Sequence, residues 1–79
     1  MEVVMEFKTE EVEGFGNLNN EFKKLFENTA PKFIAAQGLL YRPYRQPVKV
    51  SHINNSETEI RVDLKNGDYQ IFNINGTWY

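Results

Sequence analysis

Residues 59–74 read Glu-Ile-Arg-Val-Asp-Leu-Lys-Asn-Gly-Asp-Tyr-Gln-Ile-Phe-Asn-Ile, two alternating runs around a single Asn-Gly pair. Alternation of period two marks half-buried strands, and Asn66-Gly67 is a strong signal for a tight hairpin, because both residues tolerate positive φ. A two-residue loop at Asn66-Gly67 sets Leu64 opposite Tyr69, Val62 opposite Ile71 and Lys65 opposite Asp68. The reverse face then carries Arg61 opposite Phe72 and Glu59 opposite Ile74.

Upstream, Val48, Val50 and His52 share one face of another strand. A three-residue turn near Asn55-Ser56-Glu57 pairs Val50 with Val62, Val48 with Leu64 and Lys49 with Asp63, matching packing and charge together. Downstream, Asn75-Gly76 is a second hairpin signal. It folds Thr77-Trp78-Tyr79 back as a short last strand, with Trp78 on the face of Ile71 and Tyr79 beside Phe72.

The front of the chain changes period. Val3, Met5 and Phe7 alternate with Glu6 and Lys8, which predicts a first strand over 2–8. Residues 9–16 form a loop with two glycines, and Gly14-Phe15-Gly16 lacks the third glycine of a dinucleotide site. Asn17 or Asn20 caps a helix whose apolar face is Leu18, Phe22, Leu25 and Phe26. At Thr29-Ala30-Pro31 we read a break, with Thr29 capping a short second helix through Phe33, Ile34 and Ala36 and Gly38 as its left-handed stop. One helix kinked at Pro31 is the competing reading.

Strand, broken helix, three-strand meander and short C-terminal strand make an α+β domain over residues 1–79, one twisted antiparallel sheet with helix on one face. Cystatin-like and monellin-like domains have a similar order. Gln46-Pro47-Val48-Lys49-Val50 resembles the Gln-x-Val-x-Gly hairpin of the cystatins. Val50, however, stands in place of the glycine and Trp78 follows Gly-Thr instead of proline, so cysteine-protease inhibition does not carry over.

The chain has 79 residues, 41% hydrophobic, 25% charged and 14% aromatic, which excludes a disordered tail. A domain of this length buries only about 60% of its unfolded surface, and aromatic bulk compensates for the small core. With no cysteine, neither disulfides nor thiolate metal sites are available. The net charge of −2 is unevenly spread. Residues 30–50 contain Lys32, Arg42, Arg45 and Lys49 and no acid, whereas the flanking segments are acidic. Neither a signal peptide nor a run of about 18 apolar residues is present, so a cytoplasmic protein without a membrane partner is expected.

Catalytic chemistry is thinly provided. His52 is the sole histidine, and its neighbour Ser51 points to the opposite strand face, so the two cannot act as base and nucleophile. Glu10, Glu11 and Glu13 read as a solvated loop and not as a cation site. Asn54-Asn55-Ser56 and Asn75-Gly76-Thr77 match glycosylation acceptors, but their turn roles account for them. The expectation is a non-enzyme with no cofactor and no metal.

Residues 39–47, Leu-Leu-Tyr-Arg-Pro-Tyr-Arg-Gln-Pro, read as a stiff, extended, basic link. Its Tyr and Arg side chains suit either a protein hot spot or a single-stranded nucleic acid, stacking bases and contacting phosphates. A pI near 5.3 weighs against nucleic acid. Phe72, Ile74 and Tyr79, flanked by Arg61, are expected to form an uncovered apolar patch with Tyr41, Arg42, Tyr44 and Arg45 at its rim. That surface would bind a protein partner or a second copy of the chain. Nine Asn, a Lys/Glu/Ile bias and the absence of repeats resemble small phage-encoded host-takeover proteins, which bind and block a host machine. The resemblance is one of size and composition and implies no particular residues.

Overall fold

Asn19, in extended conformation, starts the helix by accepting a 2.8 Å hydrogen bond from the Phe22 amide. The computed structural model describes residues 8–79. The strand expected over 2–8 therefore lies outside the described residues, apart from Lys8. Neither expected cap is used: Asn17 ends a 3-10 turn, Phe15–Asn17, and Asn20 is already the first helical residue.

Helix α1 runs unbroken from Asn20–Ala36 with Pro31 inside it, which corrects the broken helix. Its buried residues are Phe22, Leu25, Phe26, Thr29, Ala30, Phe33 and Ile34, a three-four spacing that passes straight through the proline. Interior proline costs about 3 kcal/mol. Burying Phe33 and Ile34 on the same stripe outweighs that loss, since each fully buried large side chain contributes about 1.5–3 kcal/mol. Gly38 is not left-handed; the helix ends at an extended Gln37.

Three strands follow, β1 (Pro47–His52), β2 (Glu59–Leu64) and β3 (Tyr69–Asn73), in antiparallel order β1-β2-β3. The pairings Val50–Val62 and Lys49–Asp63 are as expected, but Pro47, and not Val48, lies opposite Leu64. An irregularity between Pro47 and Lys49 turns Val48 outward, leaving it 44% exposed.

The β2–β3 register differs from expectation by one residue. Asp63 pairs with Tyr69, Val62 with Gln70, Arg61 with Ile71 and Ile60 with Phe72. The loop holds three residues, not two: Leu64 N–H donates to Asp68 O (2.8 Å) and Gly67 N–H to Leu64 O (3.0 Å). Within this loop only Gly67 has positive φ, +93°, and the Asn66 side chain accepts from the Asp68 amide at 3.1 Å. This turn asks one residue for a left-handed conformation where a two-residue loop asks two, and glycine supplies it without strain. Residues 73–77 repeat it bond for bond, with Asn73 N–H to Thr77 O, Gly76 N–H to Asn73 O and Thr77 N–H to Asn75 Oδ1.

One residue of slip exchanges the two faces of β3. Phe72 is fully buried, with Phe26 at 6.0 Å and Phe33 at 5.6 Å between ring centroids. Trp78 bridges to Phe72 and packs edge-on against Phe33 at 5.7 Å, so it lies on the core side and not with Ile71. The resulting α+β fold packs α1 on one face of the sheet, burying Val50, Ile60, Val62, Leu64 and Phe72 beneath it. Residues 9–18 close one side through two 3-10 turns and buried Val12 and Leu18.

Candidate functional site

Because Ile60, Val62, Leu64 and Phe72 point into the core, the alternating Glu59, Arg61, Asp63, Tyr69, Ile71 and Asn73 point away from it. Among the described residues no helix covers this second face. Arg61 bonds Asp63 at 3.1 Å and lies 4.3 Å above the Tyr69 ring, so one cation is held by a carboxylate and an aromatic face together. Tyr79 is set beside Ile71 by a reciprocal pair of backbone hydrogen bonds of 2.9 and 3.0 Å. Its hydroxyl donates to Glu59 Oε2 at 2.5 Å, and Asn73 Nδ2 donates to the same oxygen at 3.3 Å. Glu59 as hydrogen-bond acceptor, with its negative charge, raises the Tyr79 pKa above the ordinary value of 10.

The expected patch is therefore partly reassigned. Arg61 and Tyr79 belong to the open face, with Tyr79 68% exposed. Phe72 does not belong to it; the register slip places it in the core at 0% exposure. Ile74, 40% exposed, sits in the 73–77 turn and lines a groove with Leu25 and Asn28 of α1, on the helix side of the sheet. Tyr69 and Ile71 take their places, two residues that a two-residue loop would have assigned to the core.

The link is not extended. Residues 38–45 form consecutive turns, with Tyr41 and Arg42 amides donating to Gly38 O and Tyr44 and Arg45 amides to Tyr41 O. Tyr41 and Tyr44 are each 63% exposed. Leu39 and Leu40, which the sequence reading passed over, are 77% and 82% exposed. Only their position in a tight turn, which strips them of neighbours, distinguishes them from ordinary core leucines.

Both link arginines turn back onto the fold. Arg42 donates to Gln37 O (3.1 Å) and Ala35 O (3.0 Å), capping the carbonyl end of α1 where a left-handed glycine was expected. Arg45 donates to Gln37 Oε1 at 2.9 Å and Asp68 Oδ2 at 2.8 Å. With the Gln70 amide oriented to satisfy its neighbours, Arg45 also donates to Gln70 Oε1 at 2.9 Å, while Gln70 Nε2 donates to Tyr79 O. One guanidinium thereby ties the helix end to the β2–β3 hairpin and, through Gln70, to the chain end. Lysine cannot serve three acceptors in a fixed fork. Arg45→Lys is expected to lower stability by about 1–2 kcal/mol in urea titrations, a modest figure because the pair is partly exposed. An unchanged midpoint would show that the clasp contributes nothing.

His52 rests on Phe22, 5.6 Å between ring centroids, and Glu13 pairs with Lys49 at 3.5 Å. Among the described residues no helix is long and apolar enough to cross a membrane. Comparison with protein-family models, curated proteins and solved structures finds no match.

Proposed function

We propose that the chain is a non-enzymatic protein-binding module whose contact surface is the open sheet face carrying Arg61, Tyr69, Ile71 and Tyr79. The observation that carries this reading is the pre-ordering of that face. The Arg61 guanidinium is stacked on Tyr69, and Tyr79 is anchored at both its backbone and its hydroxyl. Tyr and Arg are the residue types that dominate binding hot spots, and side chains already held in place lose little entropy on association. Size and composition support placing the module among small phage-type inhibitors that block a host protein machine in the cytoplasm.

The single-stranded nucleic-acid reading depends on Arg42 and Arg45, and both are engaged with acceptors of the fold itself. Tyr69→Ala and Tyr79→Ala are expected to weaken partner binding by about 1–2 kcal/mol each, as loss of an aromatic anchor does. The measurement is capture from bacterial lysate after nuclease treatment, followed by titration of the recovered partner against each variant. Capture abolished by nuclease, with affinity falling steeply in salt, would replace the protein reading with the nucleic-acid one. Concentration-dependent dimerisation lost in the same variants would make the partner a second copy.

A further inference from the structure

The open sheet face does not account for the turn between α1 and β1. Leu39, Leu40, Tyr41 and Tyr44 form a knuckle with exposures from 63% to 82%, the largest apolar side chains the described chain leaves so bare in one short segment. We propose that this knuckle is a peripheral membrane contact that enters the interfacial layer of an anionic phospholipid bilayer.

Three features point to lipid. First, the backbone amides of the second half of the knuckle, from Tyr41 to Arg45, are paired within the turn itself. The amides of Tyr41, Arg42, Tyr44 and Arg45 all donate within the turn, and Pro43 has no amide to satisfy. A segment entering a bilayer must pair its backbone donors internally, because hydrocarbon offers no acceptor. A loop that served only to join helix and sheet could leave those amides to water. Second, the side chains have the composition of an interfacial anchor, with leucines to enter the acyl boundary and tyrosines to sit at headgroup level.

Third, the charge complements an anionic surface. Residues 30–50 contain no acid. Asp68, a carboxylate that meets the link, is paired with Arg45. The Arg42 guanidinium donates to neutral carbonyls, and Lys65 is held at the base of the knuckle by its backbone N–H, which donates to Gln46 O. Each cation near an anionic leaflet strengthens binding, and the attraction decays within a Debye length. Among the described residues no helix is long and apolar enough to cross a membrane, but a surface contact needs only a few inserted side chains and nearby cations.

The test is co-sedimentation of the intact chain with phosphatidylcholine vesicles and with vesicles of phosphatidylcholine mixed with phosphatidylglycerol. Binding is expected on the mixed vesicles, weakened by salt and much smaller on the neutral ones. The double variant Leu39→Ser, Leu40→Ser should lower partitioning about tenfold or more. Its melting temperature should not change, since neither leucine is part of the core. Lys65→Gln should cost about fivefold on mixed vesicles and nothing on neutral ones. Tyr79→Ala should leave vesicle binding unchanged, so this result stands or falls apart from the protein-contact reading. No sedimentation with either vesicle, or equal retention of the double-serine variant, overturns the proposal. So does a knuckle variant that changes the oligomeric state without affecting lipid binding.

Discussion

Phe72→Ala should cost about 3–5 kcal/mol, the usual range for removing a fully buried aromatic ring. A domain of this length has a total stability of only roughly 4–12 kcal/mol, so the variant should be largely unfolded or close to it. The ring packs against both Phe26 and Phe33, and α1 meets β3 there, so its loss opens a cavity between helix and sheet. Thermal melting should show a fall of roughly 12–40 °C, taking about 4–8 °C per kcal/mol for a small domain. Ile71→Ala, one residue away on the half-exposed face, should lose about 1 kcal/mol. A reversed pattern, with Ile71→Ala the damaging change, would mean that Asn66-Gly67 closes a two-residue loop after all.

Gly14→Ala should be comparably damaging although it removes nothing. Gly14 has φ of +85°, and a Cβ built there would lie 2.1 Å from the carbonyl oxygen of Val50. That oxygen belongs to the backbone of β1 and cannot swing aside as a side chain could. The flanking bonds, Glu13 N–H to Val48 O at 3.1 Å and Val50 N–H to Glu13 O at 2.8 Å, hold residues 9–18 against the sheet edge. Relieving the clash breaks them. A left-handed alanine costs about 1–2 kcal/mol, and two lost hydrogen bonds add about 1 kcal/mol each, for a total of about 3–4 kcal/mol. Gly16→Ala is the control, since no atom lies within 4 Å of its Cβ position and its φ is not positive. Urea titrations that give the two variants the same midpoint would show that the 9–18 segment does not dock on β1 as described.

Much of the fold was legible in the residue order. Period two over 59–64, an apolar stripe read from Leu18 through Phe22, Leu25 and Phe26, and two Asn-Gly pairs predicted a helix packed on an antiparallel sheet, although the helix itself starts only at Asn20. The β1–β2 pairing at Val50 and Lys49 followed from matching apolar residues and charges across the strands. The apolar spacing through Thr29, Ala30, Phe33 and Ile34 was also present in the sequence, but Pro31 drew the reading to a break. Proline acts locally, and the burial that overrides it depends on a sheet lying beneath the helix.

The candidate site was less legible, for a reason that one hairpin makes plain. Asn66-Gly67 specifies a turn but not its length, and two-residue and three-residue loops differ by a single position of register. Each satisfies local conformational preference; what separates them is where the side chains of β3 end up. The observed register buries Phe72 among Phe26 and Phe33 and brings Trp78 onto the core, leaving Tyr69 and Ile71 outside. Similarly, the link composition announced two arginines, but their acceptors lie on the helix end and on a hairpin 23 residues further along the chain. Local sequence determined the kinds of element and where the chain turns, because propensity, periodicity and glycine chemistry act over a few neighbouring residues; helix continuity and turn length it left open. Which face each strand presents, and which cations remain for a partner, was decided only by the tertiary structure, where aromatic burial and long-range acceptors compete for the same side chains.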